Sequence, residues 1–272
     1  MKEQAYDEDM NVSLLRVLGL LIAALALALG SPQDDSRSPL LTPEQNTILD
    51  RVRAYATNYT ASLPNFVCIE ETHRMTAEAK RKPWKPIDQI TQKLNYVSGT
   101  ESYELVSHDR PKKPVHTPLS VISRGEFGTL MRVVLVKNSA NFGWLGWDQI
   151  QGHKVAIFAY RVPLSQTSLR IQGNQTAAMV AFHGLISALP DTGAVYRITS
   201  EAEDIPREMA FQRMGSDMEY GPVVINGQGY LLPVKTILSS AAGASLFRNQ
   251  SDFRDYQKFG SDSTITFQKD QN

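Results

Sequence analysis

The chain has 272 residues, and its 28 basic and 28 acidic side chains cancel to a formal charge of zero. Such a balance leaves no global field to favour nucleic acid or anionic headgroups, so no nucleic-acid partner is expected. Cys68 is the only cysteine, which excludes an intramolecular disulfide and leaves stability to a hydrophobic core.

The first element is an apolar run from Leu14 to Leu29, closed by Gly30. It is shorter than the about 20 residues that a membrane-spanning helix needs, and Arg16 stands near its start. With the small residues Ala28 and Gly30 at its end, it predicts a signal peptide over residues 1–30, cleaved before Ser31, and a periplasmic or secreted location. The first ten residues are acidic and do not suit the basic start of an export signal, which makes Met10 the expected start. The alternative is an uncleaved anchor that holds the domain outside the membrane. No cysteine follows the run, so acylation as a lipoprotein is not expected. Residues 31–41 read as a disordered linker and 42–269 as a single exported, β-rich domain.

Thr42-Pro43-Glu44-Gln45 has the residues of a helix start: Thr42 as N-cap, Pro43 at the first helical position, and Gln45 to complete a capping box. Ile48, Val52, Tyr55 or Ala56, Tyr59 and Leu63 follow at helical spacing, and Leu63-Pro64 ends the helix. Beyond Pro64 the pattern alternates. Strands are expected over Phe66 to Met75, Ile90 to Val97 and Glu101 to Val106, the last two joined at Ser98-Gly99-Thr100. Lys80, Arg81, Lys82 and Lys85 surround Trp84, as a stacking platform for RNA or a solvated loop; Pro83 and Pro86 favour the loop. Phe127, Leu130, Met131, Val134 and Leu135 then recur at i, i+3, i+4, i+7 and i+8, which predicts a second helix between Arg124 and Lys137. A buried strand through Val133 to Val136 is the competing reading.

From Phe142 onward the chain reads as strand and turn. Strands are expected over Val155 to Val162, Ser168 to Ile171, Ala177 to Ala188, Val195 to Glu201, Tyr220 to Ile225, Tyr230 to Leu238, Ser251 to Phe259 and Ser263 to Gln268. Pro190-Asp191-Thr192-Gly193 and Asn226-Gly227-Gln228-Gly229 are the clearest turns. Consecutive hairpins point to an antiparallel meander rather than βαβ units.

Chemistry-bearing patterns are sparse. His73, His108, His116, His153 and His183 are dispersed, without the paired spacing that presents two metal ligands, so neither a metal nor a cofactor is expected. Cys68 lies in the apolar Phe66-Val67-Cys68-Ile69, and its odd separation from His73 puts the two on opposite strand faces. A single Asp-Thr-Gly at Asp191 to Gly193 lacks the second carboxylate of an aspartic protease and reads as a turn. Glu70-Glu71 point to opposite faces of a strand, and Ser123 to Glu126 has no base beside it. Phe142, Trp144 and Trp147, interleaved with Gly143 and Gly146, can rim a lipid or sugar site, or they can be core packing.

The order of leader, amphipathic helix, meandering strands and interposed helix resembles the outer-membrane lipoprotein carrier and lipoprotein-sorting superfamily. Phe182 to Ile198, with Asp-Thr-Gly at the bend, is similar to a strand, turn and strand of those proteins, and Leu231-Leu232-Pro233-Val234 resembles a later strand of uncharacterised secreted bacterial relatives. The resemblance implies an α+β fold: a strongly curved, mostly antiparallel sheet, an incomplete barrel, around the two helices. It implies an acyl chain or lipoprotein as ligand. The Trp84 loop and the stretch Arg124 to Gly128 depart from the superfamily pattern. The expected function is non-catalytic binding of an apolar ligand between sheet and helices, with Phe142, Trp144 and Trp147 at the rim. A protein-interaction or sensory module of the cell envelope, and a hydrolase assembled from dispersed residues, are the alternatives.

Overall fold

A computed structural model of the chain describes residues 40–78, 81–110, 127–137, 139–172 and 176–259. Helix α1 spans Pro43–Ser62 and starts as its sequence requires. The Gln45 amide donates to Thr42 Oγ1 at 3.3 Å, and Gln45 Oε1 accepts from the Thr42 amide at 2.9 Å, so two otherwise orphaned donors are satisfied. Leu63 leaves the helix in an extended conformation (φ −70°, ψ 130°), as a residue before proline must.

Twelve strands follow in the described residues: β1 Phe66–Glu78, β2 Arg81–Val97, β3 Thr100–Asp109, β4 Asn141–Ile150, β5 His153–Val162, β6 Arg170–Gln172, β7 Ala177–Met179, β8 Ala181–Ala188, β9 Val195–Glu203, β10 Arg213–Ile225, β11 Gln228–Ala242 and β12 Ser245–Lys258. Between β3 and β4 lies a short helical segment, α2, Thr129–Met131, which continues as one π-helical turn over Arg132–Val136. The second helix expected from the sequence is therefore present, and the buried strand through Val133 is not.

Ten strands form one open antiparallel sheet in the order β3-β2-β1-β12-β11-β10-β9-β8-β5-β4, while β6 and β7 pair separately. Most neighbours are hairpin partners. Ser98-Gly99 and Asn226-Gly227 both carry positive φ at their two central residues, the type I′ geometry that matches strand twist. The expected strand Ala177 to Ala188 is broken at Val180, whose amide donates to the Leu169 carbonyl at 3.2 Å instead of continuing a ladder. The stretch around Trp84 is strand, not loop. Residues 81–88 of β2 pair with β1 alone, because the β3 ladder begins at Gln89. Proline is tolerated in such an edge segment and at bulges, and Pro86 stands opposite Met75 at a register shift. Lys80 and the strand expected over Ser263 to Gln268 lie outside the described residues.

Ile48, Leu49, Val52, Ala56 and Tyr59 of α1 belong to one buried cluster with inward residues of β1, β2, β5, β8, β9, β10, β11 and β12. The curved sheet thus wraps the helix. Phe66 is a hub of this core: its ring lies 5.0 Å from Tyr96, 5.1 Å from Phe127 and 5.5 Å from Tyr256 between centroids. Phe127, at the start of the α2 segment, is tied down by its amide, which donates to Glu101 Oε1 at 3.0 Å.

The inner face changes character across the sheet. Following the register, Trp144, Phe158, Ile186, Ile198 and Met218 stand side by side from β4 to β10. The same row continues through Thr236 on β11, Ser251 on β12 and Thr72 on β1. Ser251 Oγ donates to Glu70 Oε1 at 2.8 Å and shares a 2.7 Å bond with Thr72 Oγ1, which satisfies polar groups held inside. The outer face carries cross-strand ion pairs, including Arg197 with Asp217 and Arg161 with Glu203.

One contact seats α1 in the curve. Gly193 closes the Pro190–Gly193 turn at φ +74°, and a Cβ there would stand 2.2 Å from the Arg51 carbonyl oxygen and 2.6 Å from the Val52 nitrogen. Arg51 Nη1 donates to the Pro190 carbonyl at 3.0 Å. Gly193→Ala combines backbone strain with a backbone collision, and it lowers stability by roughly 2–4 kcal/mol. Urea unfolding measures this, and an unchanged midpoint contradicts the seating.

Candidate functional site

The approach of α1 to the turn and to the β10–β11 hairpin leaves an open cleft of about 690 Å³. That volume lies within the range of small-molecule sites. One wall is the flank of α1 that carries Arg51, Tyr55, Asn58 and Ser62, residues three or four apart and therefore on one side of the helix, with Leu63 just beyond its end. The other wall is Thr192 and Ala194 from the turn, with Pro222, Gly229, Tyr230 and Leu231 from the hairpin. Tyr59 is shared between cleft and core: it is 4% exposed and stacks edge-on against Tyr220 at 6.0 Å. Its buried hydroxyl has no hydrogen-bond partner among the described residues, which costs about 1–3 kcal/mol of desolvation. Burial, and after it the neighbouring Tyr196, pushes the Tyr55 hydroxyl up to about 12, so it stays a neutral donor at physiological pH.

The aromatics singled out in the sequence do come together. Trp144 and Trp147 are three apart, an odd separation that puts residues of a regular strand on opposite faces. A bulge between Trp144 and Gly146 adds Leu145, with Gly146 at φ +130°, and restores both rings to the inner face opposite Phe158 and Ala156. Their rings meet at 5.1 Å and Trp144 meets Phe158 at 5.2 Å. Phe142 lies opposite Tyr160, and the Arg53 guanidinium sits 5.2 Å above its ring. Phe142 and Trp144 pack against the core, whereas Trp147 is 44% exposed beneath the Lys154 ammonium at 4.2 Å. None of the three lines the cleft: Arg51 and Arg53 leave α1 on different flanks, one toward the turn and one toward β4.

The titratable groups are absorbed by structure. Cys68 is buried, and burial, then the charge of Glu70, pushes its thiol well up, although Tyr256 hydrogen-bonds it; a thiol held neutral is a poor nucleophile. His73 bonds Glu71 at 3.0 Å, His108 bonds Asp88 at 2.7 Å and His183 bonds Glu203 at 2.8 Å, while the His153 ring packs on Tyr196. His116 and Ser123 to Glu126 lie outside the described residues. Among the described residues no three His, Cys, Asp or Glu side chains gather as metal ligands. The Asp191-Thr192-Gly193 turn is closed by the Gly193 amide on the Leu189 carbonyl at 2.9 Å, and it serves as a seat for α1.

No protein-family model matches the chain, and no curated protein matches it in sequence. Solved structures are similar to the chain at low sequence identity. The LolA superfamily protein NE2245 from Nitrosomonas europaea is 11% identical, with 79% of this chain and 93% of that one covered and a TM-score of 0.32. A DUF1329 family protein from Desulfovibrio piger is 10% identical over 82% and 96%, with a TM-score of 0.37. A domain described as an outer membrane lipoprotein-sorting protein from Vibrio parahaemolyticus is 8% identical over 76% and 90%, with a TM-score of 0.38.

Asp88 is a buried carboxylate of the inner face. Burial alone would raise it, but hydrogen bonds and charge from Arg74 and His108 hold it below the ordinary carboxylate range. A lowered value means that its stabilisation is complete above about pH 4 and is lost as pH falls through the folded-state value. Asp88→Asn removes roughly 3 kcal/mol at pH 7 and flattens the pH dependence of stability below pH 4. Denaturation curves between pH 2 and 7 measure both effects, and parallel curves for the two proteins contradict the assignment.

Proposed function

We propose that the chain is an exported, non-catalytic binding protein that holds an apolar ligand, an acyl chain or the lipid of a lipoprotein, between its curved sheet and helix α1. The observation that carries this reading is the open cleft, whose walls are mainly tyrosyl, leucyl and prolyl surface. Apolar surface of a chain buried there favours binding by about 25 cal/mol per Å² before ordering costs. The apolar run from Leu14 to Leu29 supports export, to a periplasmic or secreted location.

Phe142, Trp144 and Trp147 are proposed as a second apolar contact, on the other flank of α1. The bulge at Leu145 supports it, because it turns an otherwise outward tryptophan inward at the open edge of the sheet. Rings there offer large contact area with few rotors to freeze.

Native mass spectrometry of protein purified from an exporting host tests the reading: adducts with lipid masses are expected, and their absence, together with no uptake of added palmitate, contradicts it. Tyr230→Ser removes part of the hairpin wall and weakens palmitate binding about five- to tenfold. Trp147→Ala weakens it about threefold if the edge aromatics take part. Equilibrium dialysis reads both, and an unchanged constant for Trp147→Ala removes the edge aromatics from the site.

A further inference from the structure

The chemistry of the cleft lining selects among apolar ligands. Among the described residues that line it, Arg51 is the one charged side chain and none is a carboxylate. Arg51 Nη1 is fixed by the Pro190 carbonyl at 3.0 Å, which orients the guanidinium at the mouth and leaves its further N–H groups to a ligand. Thr192 Oγ1 accepts from the Ala194 amide at 3.3 Å, so its hydroxyl proton is directed elsewhere. Asn58 adds an amide two turns farther along the same helix flank, and Tyr55 and Tyr230 add phenolic O–H groups. The lining is therefore rich in donors around a single cation, above a wall that is apolar.

Two carboxylates stand near this mouth without belonging to it. Asp50 is turned to Arg53, 3.5 Å away on the helix, and Asp191 is exposed in the turn beside Thr192. Neither takes the guanidinium, whose recorded bond is to a carbonyl.

We infer that the cleft takes a single-chain amphiphile with an anionic head: the carboxylate or phosphate accepts from Arg51 and Thr192 at the mouth, and the tail lies along Tyr59, Tyr230 and Leu231. The inference rests on the apolar-ligand reading above and adds the sign and place of the head. Guanidinium meets carboxylate and phosphate in a two-point geometry that an alcohol or an ammonium cannot reproduce. At an exposed mouth such a pair is worth a modest factor rather than orders of magnitude.

The test is equilibrium dialysis of the purified protein with sub-micellar palmitate, hexadecanol and hexadecyltrimethylammonium, three probes with one tail and different heads. Palmitate is expected to bind roughly three- to tenfold more tightly than hexadecanol, and the cation most weakly. In Arg51→Gln the ratio of palmitate to hexadecanol affinity falls toward one; in Arg51→Lys, which keeps the charge, most of the ratio survives. Hexadecyl phosphate in place of palmitate tells whether the mouth prefers a carboxylate or a phosphate. Equal binding of all three heads to the wild-type protein, or an unchanged ratio in Arg51→Gln, overturns the anionic-head inference and leaves the apolar-ligand reading standing. Failure of every probe to bind overturns both.

Discussion

The backbone approach between the Pro190–Gly193 turn and helix α1 is the constraint on which the rest of the architecture depends. A helix inside a curved sheet has freedom to roll and slide, because side-chain packing alone tolerates small shifts. A Cβ-free residue pressed against the Arg51 carbonyl and the Val52 nitrogen removes that freedom at one point. With α1 pinned there, its apolar side fills the curve through Ile48, Val52 and Ala56, while the flank carrying Arg51, Tyr55 and Asn58 stands off the β10–β11 hairpin. The cleft is the space that this seating leaves. It exists because the helix is held at the turn rather than laid flush on the hairpin.

The division of the inner face follows from the same geometry. Where α1 lies, the sheet presents Phe158, Ile186, Ile198 and Met218, and burial of these surfaces holds the helix in place. Across β11, β12 and β1 the row becomes Thr236, Ser251 and Thr72, with Glu70 bonded by two of these hydroxyls and Asp88 clamped by Arg74 and His108. Polar networks inside a sheet are stabilising when their members are satisfied and costly otherwise. Glu70, Ser251, Thr72 and Asp88 are satisfied in this way, whereas the buried Thr236 hydroxyl has no hydrogen-bond partner among the described residues, and the apolar half supplies the contact surface for the helix.

Much of this was legible in the sequence, and the parts that were not share a cause. Helix α1 was fully legible, since Thr42, Pro43 and Gln45 act within one turn and the apolar period needs no outside partner. The hairpins at Ser98-Gly99 and Asn226-Gly227 were legible because turn chemistry is local. The Asp191-Thr192-Gly193 turn was legible as a turn, but its role as the seat of α1 was not, because it depends on a residue 142 positions earlier coming within 2.2 Å of a hypothetical Cβ. Pro83 and Pro86 suggest a loop, and the strand they occupy is an edge segment with shifted register that the β3 ladder does not reach. Parity would have put Trp144 and Trp147 on opposite faces, and only the register against β5 reveals the bulge that reunites them. The cleft was invisible for the same reason: Tyr55, Thr192 and Tyr230 are ordinary residues of a helix, a turn and a strand until the fold gathers them.

The central claim is that an acyl chain lies between α1 and the β10–β11 hairpin. The most direct measurement is the change in backbone amide NMR signals of the isotopically labelled protein on titration with palmitate. The account predicts that the perturbed amides form a connected set over Tyr55 to Leu63, Thr192 to Ala194 and Gly229 to Leu231. Perturbation confined to other surfaces, with these three segments unmoved at saturating palmitate, would contradict it.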